Sequence, residues 1–372
     1  MKEDHTVSRT NARNFWLLLG SCILVGLVVF TFGVFHTSGS GSNRPYISPL
    51  RATSSIAEPK APVGVCTLTV TQFGASTAAT DNASALDKAF KAGVGGTVCI
   101  PAGTWRVTSQ LTIPGSETVT GAGAGSTILL QTVSDHNLLQ ARSSYTVVEN
   151  LTLDTQTYNG GIAFATGGSH VTLRNADVRS GSQPGHFAIY YAGPHGATPT
   201  APHYSVGNVI QDVVVSDEIC DDGVSWSFQS GGNIDNVHET GSRLALYVDN
   251  GTVIDNYSYT PGPCTASDNG YWITPPSESI TIHGFVSSGA GGKICPNLSE
   301  HKECTDITVM DEQAPNGALD IGDVKGLAVI GSTVKDVHVN TSTGASGSWS
   351  TSSPQRAFCS GGPVNINGLS CR

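Results

Sequence analysis

The chain has 372 residues, of which 13% are charged, and it carries a formal net charge of −10. This acidic balance excludes a broadly basic surface, so no nucleic-acid partner is expected. The length suffices for one large domain, and the 44 glycines favour a fold with many turns.

An uncharged, almost wholly apolar segment covers residues 15–35 and is long enough to span a bilayer. Lys2, Arg9 and Arg13 precede it, so residues 1–14 are predicted to be a cytoplasmic tail. We therefore expect an uncleaved signal anchor and an extracytoplasmic, membrane-anchored protein, with a cleaved signal peptide and secretion as the alternative. Residues 36–65 are predicted to be a flexible linker, and residues 66–372 the exported domain.

A short amphipathic helix is predicted at the start of this domain. Its apolar residues recur at helical spacing, and an acidic or amide side chain can cap its first turn: Ala85, Leu86, Ala89 and Phe90, preceded by Asp81 and Asn82. Such a helix would cover the open end of a repetitive fold, where unpaired strand edges otherwise aggregate.

A degenerate motif returns about once per 20–30 residues, which is the period of a solenoid. It reads apolar, any residue, Asn or Asp, apolar. Short β-branched strands between turns predict a parallel β-helix, because one coil cannot bury its apolar face without a neighbour. Asn and Asp tolerate unusual turn conformations, so the motif positions are expected to stack as a ladder; a β-sandwich is the alternative. These positions are Asn150, Asn175, Asp212, Asn236, Asn256, Asp306 and Asp336, with Gly284 once.

The N-terminal block carries a further signature, which runs Phe73-Gly74-Ala75, Thr80-Asp81-Asn82, Gly95-Gly96-Thr97-Val98, Ile100-Pro101-Ala102-Gly103-Thr104-Trp105 and Gly121-Ala122-Gly123. With it the chain resembles, from Thr67 to the C-terminus, the pectate-lyase-like right-handed parallel β-helix superfamily. That superfamily includes pectate lyases, polygalacturonase-like hydrolases, alginate epimerases and tailspikes. The resemblance implies an all-β, right-handed parallel β-helix with a short N-terminal capping helix, and a polysaccharide as the partner.

The strands before each motif should stack into one long face, with neighbouring coils about 4.8 Å apart. This face is predicted to hold the catalytic residues Asp221, Asp222, Arg243 and His186. The predicted substrate-binding residues are Trp226, Tyr247, Tyr190, Trp272 and Asp268, with Tyr271 near them. Trp226 and Trp272 suit either a sugar-stacking role or the core.

The acidic cluster of Asp217, Glu218, Asp221 and Asp222 has three interpretations. Asp221 and Asp222 can act as general acid and base on a glycosidic bond, since like charges push their pKa values apart. The four carboxylates can instead bind Ca²⁺, and no other metal or cofactor is predicted. Otherwise the cluster is a solvated turn.

Asp221-Asp222 resembles the Asp-Asp that opens a strand in polygalacturonase-type hydrolases, whereas Gly241-Ser242-Arg243 stands where that family has Gly-His-Gly. Glycoside hydrolysis by the two aspartates, assisted by His186 and Arg243, is the first predicted function. A uronate lyase or C5-epimerase is the second, since Arg243 can neutralise a uronate carboxylate beside a base such as His186 or Tyr247. A non-catalytic glycan-binding or adhesive protein is the third, and Arg243 would then simply pair with Asp222.

Two further features complete the prediction. The insertion Gly193 to Tyr204 lengthens one coil, and long loops on a solenoid usually shape its binding face. Eight cysteines follow the membrane segment, an even number that suits disulfides in an exported domain. Pairing between neighbours along the chain would join caps or adjacent coils, and it predicts Cys66–Cys99, Cys220–Cys264, Cys295–Cys304 and Cys359–Cys371.

Overall fold

The structure is a computed structural model that describes residues 65–133, 136–155, 162–180, 187–217, 222–262, 269–296 and 303–372. The predicted cytoplasmic tail and membrane segment, and the predicted linker up to residue 64, lie outside these residues. Those three assignments stay predictions. Within the described ranges, no helix is both long and apolar enough to cross a membrane.

The predicted capping helix is present as α1 (Ala83–Ala92), after a short 3-10 turn at Val70–Phe73. Its buried face comprises Ala83, Leu86, Ala89 and Phe90. Asp81 caps the first turn, because its Oδ1 accepts a hydrogen bond from the backbone nitrogen of Ala83 at 3.0 Å. The side chain of Asn82 instead accepts from the backbone of Ser76, which fixes the segment before the helix.

The rest of the described chain forms a parallel β-helix of about 10 coils, in which strands pair in parallel with the coils before and after them. The first coils use Leu68–Thr69, Thr97–Cys99, Gly103–Val107, Leu111–Ile113, Thr118–Thr120, Thr127–Gln131, Leu139–Ala141 and Val147–Asp154. The middle coils use Phe164–Thr166, Thr172–Ser180, Ile189–Tyr191, Ser205–Val206, Val209–Asp217, Asp222–Ser227, Gln229–Ser230, Asn233–Gly241, Arg243–Tyr247, Val253–Asp255 and Ser258–Pro261. The last coils use Asn269–Thr274, Thr281–His283, Val286–Ser287, Gly291–Ile294, Cys304–Thr305, Thr308–Met310, Gln313–Ile321, Val324–Ile330, Thr333–Thr341, Ala345–Ser350, Arg356–Gly361, Val364–Asn367 and Ser370–Cys371. The fold class predicted from the sequence is therefore confirmed.

Two faces of the solenoid matter for function. The site face stacks the strands Ile189–Tyr191, Asp222–Ser227, Arg243–Tyr247, Asn269–Thr274 and Gly291–Ile294. The narrow face follows it in each coil and stacks Gln229–Ser230, Asn250, Glu278, Cys304–Thr305 and the start of Val324–Ile330. Because only two residues separate Tyr247 from Asn250, the two faces are neighbours along the solenoid surface.

The expected ladder lies at one corner of the coils. Asn150, Asn175, Asp212, Asn236 and Asn256 all have φ between 47° and 59°, the left-handed region that Asn and Asp tolerate best among non-glycine residues. Neighbouring members bond to each other, as in the contact from Asn236 Nδ2 to Asp212 Oδ1 at 2.6 Å. Gly284 takes the same position with φ of 70°.

Two motif positions were assigned to the wrong place. Asp306 occupies a different left-handed corner, since it stacks between Ser279 and Gly326 rather than in the ladder. Asp336 is not in the left-handed region and lies inside the strand Thr333–Thr341. In these coils Asp311 and Gly331 occupy the ladder position. The motif does not match at Asp311, because the residue that follows it is Glu312 and not an apolar residue.

The core is apolar along most of its length but contains two buried acid–tyrosine pairs. Tyr271 donates its hydroxyl to Glu312 Oε2 at 3.1 Å, and both residues are fully buried. Tyr257 likewise donates to Glu239. A hydrogen-bonded partner is what makes a buried carboxyl tolerable in such a core.

Three of the four predicted disulfides are present: Cys66–Cys99, Cys295–Cys304 and Cys359–Cys371. The fourth predicted pair, Cys220–Cys264, lies outside the described residues. Cysteines paired in this way indicate a protein that folds in an oxidising, extracytoplasmic compartment.

Candidate functional site

The site face owes its surface to strand alternation. Outward positions in register across four coils are Ser225, Ala245, Trp272 and Lys293. Inward positions are Val224, Leu244 and Tyr271, and then Trp226, Leu246 and Ile273. Ser225 and Ala245 are small and fully buried, so larger polar and aromatic groups on this face cover them.

Asp222 is the centre of the polar group on this face. Its Oδ1 accepts a hydrogen bond from Arg243 Nε at 2.8 Å, and its Oδ2 accepts one from the hydroxyl of Tyr247. The carboxylate is only 1% exposed, whereas the Arg243 side chain is 13% exposed. A buried carboxylate with both oxygens bonded orients its partners and has little surface of its own to offer a substrate.

Trp272 covers one side of Arg243. The guanidinium carbon lies 4.4 Å from the centre of the indole ring, a cation–π contact. Lys293 approaches the same ring at 5.8 Å, and the Tyr247 ring lies 6.0 Å away in an edge-on arrangement. The half-buried indole thus holds two cations and the tyrosine in one patch.

Of the predicted aromatic residues, Tyr247 and Trp272 join this patch, whereas Trp226 does not. Trp226 is fully buried in the core, where its Nε1 donates to Thr252 Oγ1 at 3.1 Å. Of the two roles that the sequence left open for Trp226, the structure shows the core role and not a place at the surface, because the strand is irregular between Asp222 and Val224 and turns the indole inward. Tyr271, also placed near the face by the sequence, is buried.

Tyr190 lies three coils before Trp272 on the outward side of its strand, opposite Ser225. Its ring stacks on Phe187 at 5.0 Å between centroids, and burial raises the pKa of its hydroxyl. Tyr190 therefore stays protonated at neutral pH and has a fixed ring. Its role in substrate binding remains a prediction.

Several predicted site residues lie outside the described residues: Asp221, His186, Asp268 and Glu218. Of the proposed calcium ligands, the structure describes the side chain of Asp222 alone, which is committed to Arg243 and Tyr247. Across the described ranges, His, Cys, Asp and Glu form no group of three or more that can hold a metal ion. Calcium binding by the acidic cluster therefore stays a prediction.

Sequence reasoning missed two features. Lys293 follows no motif and reaches Trp272 only through the stacking of coils. A groove of about 990 Å³ lies beside the narrow face, between the insertion that ends at Tyr204 and residues such as Asn250, Glu278 and Lys325. The insertion was predicted to shape a binding face, and it does line this groove. The groove, however, is not on the site face.

Comparison with known proteins gives no family model and no curated protein that matches the chain. Among solved structures, the mannuronan C-5 epimerase AlgE6 A-module of Azotobacter vinelandii is 16% identical, with 82% of this chain and 99% of that chain covered and a TM-score of 0.45. The catalytic domain of a GH87 alpha-1,3-glucanase is 14% identical, with 79% and 66% covered and a TM-score of 0.47. The Dettilon tailspike protein is 10% identical, with 80% and 68% covered and a TM-score of 0.48. Similarity this distant bears on neither activity nor substrate.

Proposed function

We propose that this protein acts on an acidic polysaccharide at the site face, by removing the proton next to a uronate carboxylate. The observation that carries the proposal is the contact of Asp222 with both Arg243 and Tyr247. It holds a cation and a phenol side by side at the surface. These are the two groups that β-elimination and C5 epimerisation require.

Arg243, Lys293 and Tyr247 have different roles in the proposed reaction. Arg243, with Lys293 across the Trp272 ring, neutralises the uronate carboxylate and so makes the adjacent C5 proton more acidic. Tyr247 takes that proton on its oxygen while its own proton passes to Asp222. In elimination, the electrons of the C5–H bond form the C4=C5 double bond, and the C4–O bond breaks.

The leaving oxygen then receives a proton from Tyr247, which recovers its own from Asp222, so the protein ends unchanged. In epimerisation, a water molecule on the opposite side of the ring donates a proton to C5 instead. The hydroxide that remains is neutralised by a proton that Tyr247 gives up and recovers from Asp222. Asp222 acts in both cases as a positioning residue and proton store. It does not touch the sugar, which agrees with its 1% exposure.

Hydrolysis by Asp221 and Asp222 was the first prediction from the sequence. A general acid must reach the glycosidic oxygen, and the burial of Asp222 disfavours that role. The elimination chemistry needs no second carboxylate, so it is independent of Asp221. Elimination leaves an unsaturated sugar and hydrolysis does not, so an assay for unsaturated product distinguishes the two functions.

The test is a panel of polyuronates, including polygalacturonate, alginate and glucuronan, assayed for unsaturated product by ultraviolet absorbance and for new reducing ends. We expect unsaturated product, or an altered C5 configuration by proton NMR. Arg243→Lys and Tyr247→Phe should each lower the rate by roughly a hundredfold, the usual effect of removing one transition-state contact. Arg174→Lys and Tyr145→Phe are controls at exposed positions away from the site face.

Reducing ends without unsaturated product would assign hydrolysis and overturn the elimination chemistry. Binding without turnover on any member of the panel would assign a glycan-binding or adhesive role. Circular dichroism of each variant distinguishes a lost contact from a lost fold.

A further inference from the structure

The groove beside the narrow face has a regular floor. Asn250, Glu278 and Thr305 occupy the same position in successive coils, and Lys325 takes it in the next. Four such positions span about 14 Å at the usual spacing of strands. The floor therefore presents an amide, a carboxylate, a hydroxyl and an ammonium group in a line, one to each coil.

The insertion supplies a wall of flat apolar surfaces. Tyr204 and Pro202 belong to it, and Pro276 faces the groove from the coil of Glu278. Burial raises the pKa of the Tyr204 hydroxyl, and the nearby negative charge of Glu278 raises it further. The hydroxyl is thus protonated at neutral pH and serves as a donor. A ring face beside donors and acceptors is the surface that a sugar ring needs, since one side of it is apolar and its edge carries hydroxyls.

The charge of the groove differs from that of the site face. Lys325 and Glu303 form an ion pair, so their charges cancel. Asp249 lies behind the floor, fully buried, and burial raises its pKa well above the usual value, which favours the neutral acid. Glu278 is exposed and leaves the lining with one negative charge. An anionic sugar is repelled here, whereas the site face presents Lys293 in addition to the Arg243–Asp222 ion pair.

We propose that this groove is a second carbohydrate site, which binds a neutral oligosaccharide of a few sugar units. Tyr204 stacks on one sugar ring, while Asn250, Glu278 and Thr305 bond to hydroxyls of successive sugar units. This role does not depend on the chemistry proposed for the site face. It would hold a neutral segment of a mixed polysaccharide, or a neutral neighbouring polymer, beside the acidic chain.

The experiment measures binding of neutral gluco-, xylo- and manno-oligosaccharides to the exported domain by calorimetry and saturation-transfer NMR. Oligouronates serve as the anionic comparison. Tyr204→Ala and Glu278→Ala are the test variants, and Tyr145→Ala is the control, because Tyr145 is an exposed tyrosine four coils before Asn250. We expect at least one neutral series to bind, with affinity lowered roughly tenfold or more in Tyr204→Ala, which corresponds to about 1.4 kcal/mol.

Tyr145→Ala should bind as the wild type does, and Arg243→Lys should keep neutral binding even where it loses activity on uronates. The proposal is overturned if the wild type binds no neutral oligosaccharide. It is equally overturned if Tyr204→Ala and Glu278→Ala, both folded by circular dichroism, bind with unchanged affinity. Because the site-face reaction is assayed separately, its failure and the failure of this site are distinguishable.

Discussion

Asp222 and Arg243 lie at the start of paired strands in adjacent coils and join through Oδ1 and Nε at 2.8 Å, with the carboxylate 1% exposed. The stacking of coils brings together two residues that are 21 positions apart in the chain. The same carboxylate fixes Tyr247. The stability of the coils and the geometry of the proposed site therefore depend on one side chain.

Asp222→Asn is expected to destabilise the domain by about 3 kcal/mol, since removing one partner of a buried ion pair leaves the other charge uncompensated. The free energy of unfolding in urea measures this. Glu149→Gln is the matched control, because its ion pair with Arg174 is largely exposed on the arginine side, and the change should cost less than about 1 kcal/mol. Equal losses in the two variants would contradict the account of Asp222.

The two tryptophans of the site-face strands should respond differently to substitution. Trp226→Ala removes a fully buried ring and should cost about 3–5 kcal/mol of stability. Trp272→Ala removes a half-buried ring that covers Arg243, so it should mainly weaken binding of polyuronates. Thermal unfolding and a binding titration of both variants check this, and the reverse pattern would show that the core and surface assignments are exchanged.

Glu312→Gln is expected to stabilise the domain above neutral pH. Burial raises the pKa of Glu312 to about 7 from 4.5. The folded state therefore holds the proton more tightly than the unfolded state, and stability falls as the pH rises from 4.5 to about 7. The full penalty is about 3 kcal/mol at higher pH. Glutamine keeps an acceptor for Tyr271 without the charge, so the pH dependence should flatten. The exposed Glu278→Gln is the control, and a parallel pH profile for both would disprove the assignment.

Asp323→Asn tests a pKa shift in the opposite direction, in which the folded state lowers the pKa of a carboxyl group. Although burial alone would raise its pKa, bonds from the Ser342 hydroxyl and from the backbone nitrogens of Ser342, Thr343 and Gly344 lower it to about 2. The stabilisation is present above pH 3.8 and is lost as the pH falls through 2; it amounts to about 2 kcal/mol at neutral pH. Acid unfolding monitored by circular dichroism should show the wild-type advantage disappear at low pH. Asp336→Asn, whose carboxylate is partly exposed, should show no such change.

The ladder predicts the order of stability of two variants at Asn236, whose φ is 51°. Alanine should destabilise by about 1–2 kcal/mol, because it keeps the Cβ that a left-handed backbone places against the next carbonyl and loses the polar side chain that offsets this cost in asparagine. Glycine tolerates that backbone, so Asn236→Gly should cost less, and mainly through the bond to Asp212. Chemical denaturation of the two variants gives the order, and alanine at or above the stability of glycine would contradict it.

The fold was predictable from sequence because turn chemistry and strand chemistry agree in most coils. Asn150, Asn175 and Asn236 mark the ladder, since few other residues accept its backbone. The same pattern misplaced Asp306, because a second corner of the coil also selects a left-handed residue. A four-residue motif does not distinguish one such corner from the other.

The site was predictable only in part, because one extra residue in a strand changes which side chains face outward. Strict alternation from Asp222 would place Trp226 on the outward side of the strand. The register instead shifts between Asp222 and Val224, so that Gly223 is the extra residue and Trp226 turns into the core. Lys293 and the narrow-face groove depend on which coils stack, and that register is set by loop lengths that carry no motif.

The most direct test of the central claim is hydrogen exchange at C5 of a polyuronate incubated with the protein in deuterated water. Both elimination and epimerisation begin by breaking that bond, so one measurement covers both. The account predicts deuterium at C5 or unsaturated product with the wild type and with Tyr145→Phe, and loss of both signals in Tyr247→Phe. Cleavage that produces reducing ends with neither C5 exchange nor unsaturated product, or either signal surviving in a folded Tyr247→Phe variant, would contradict it.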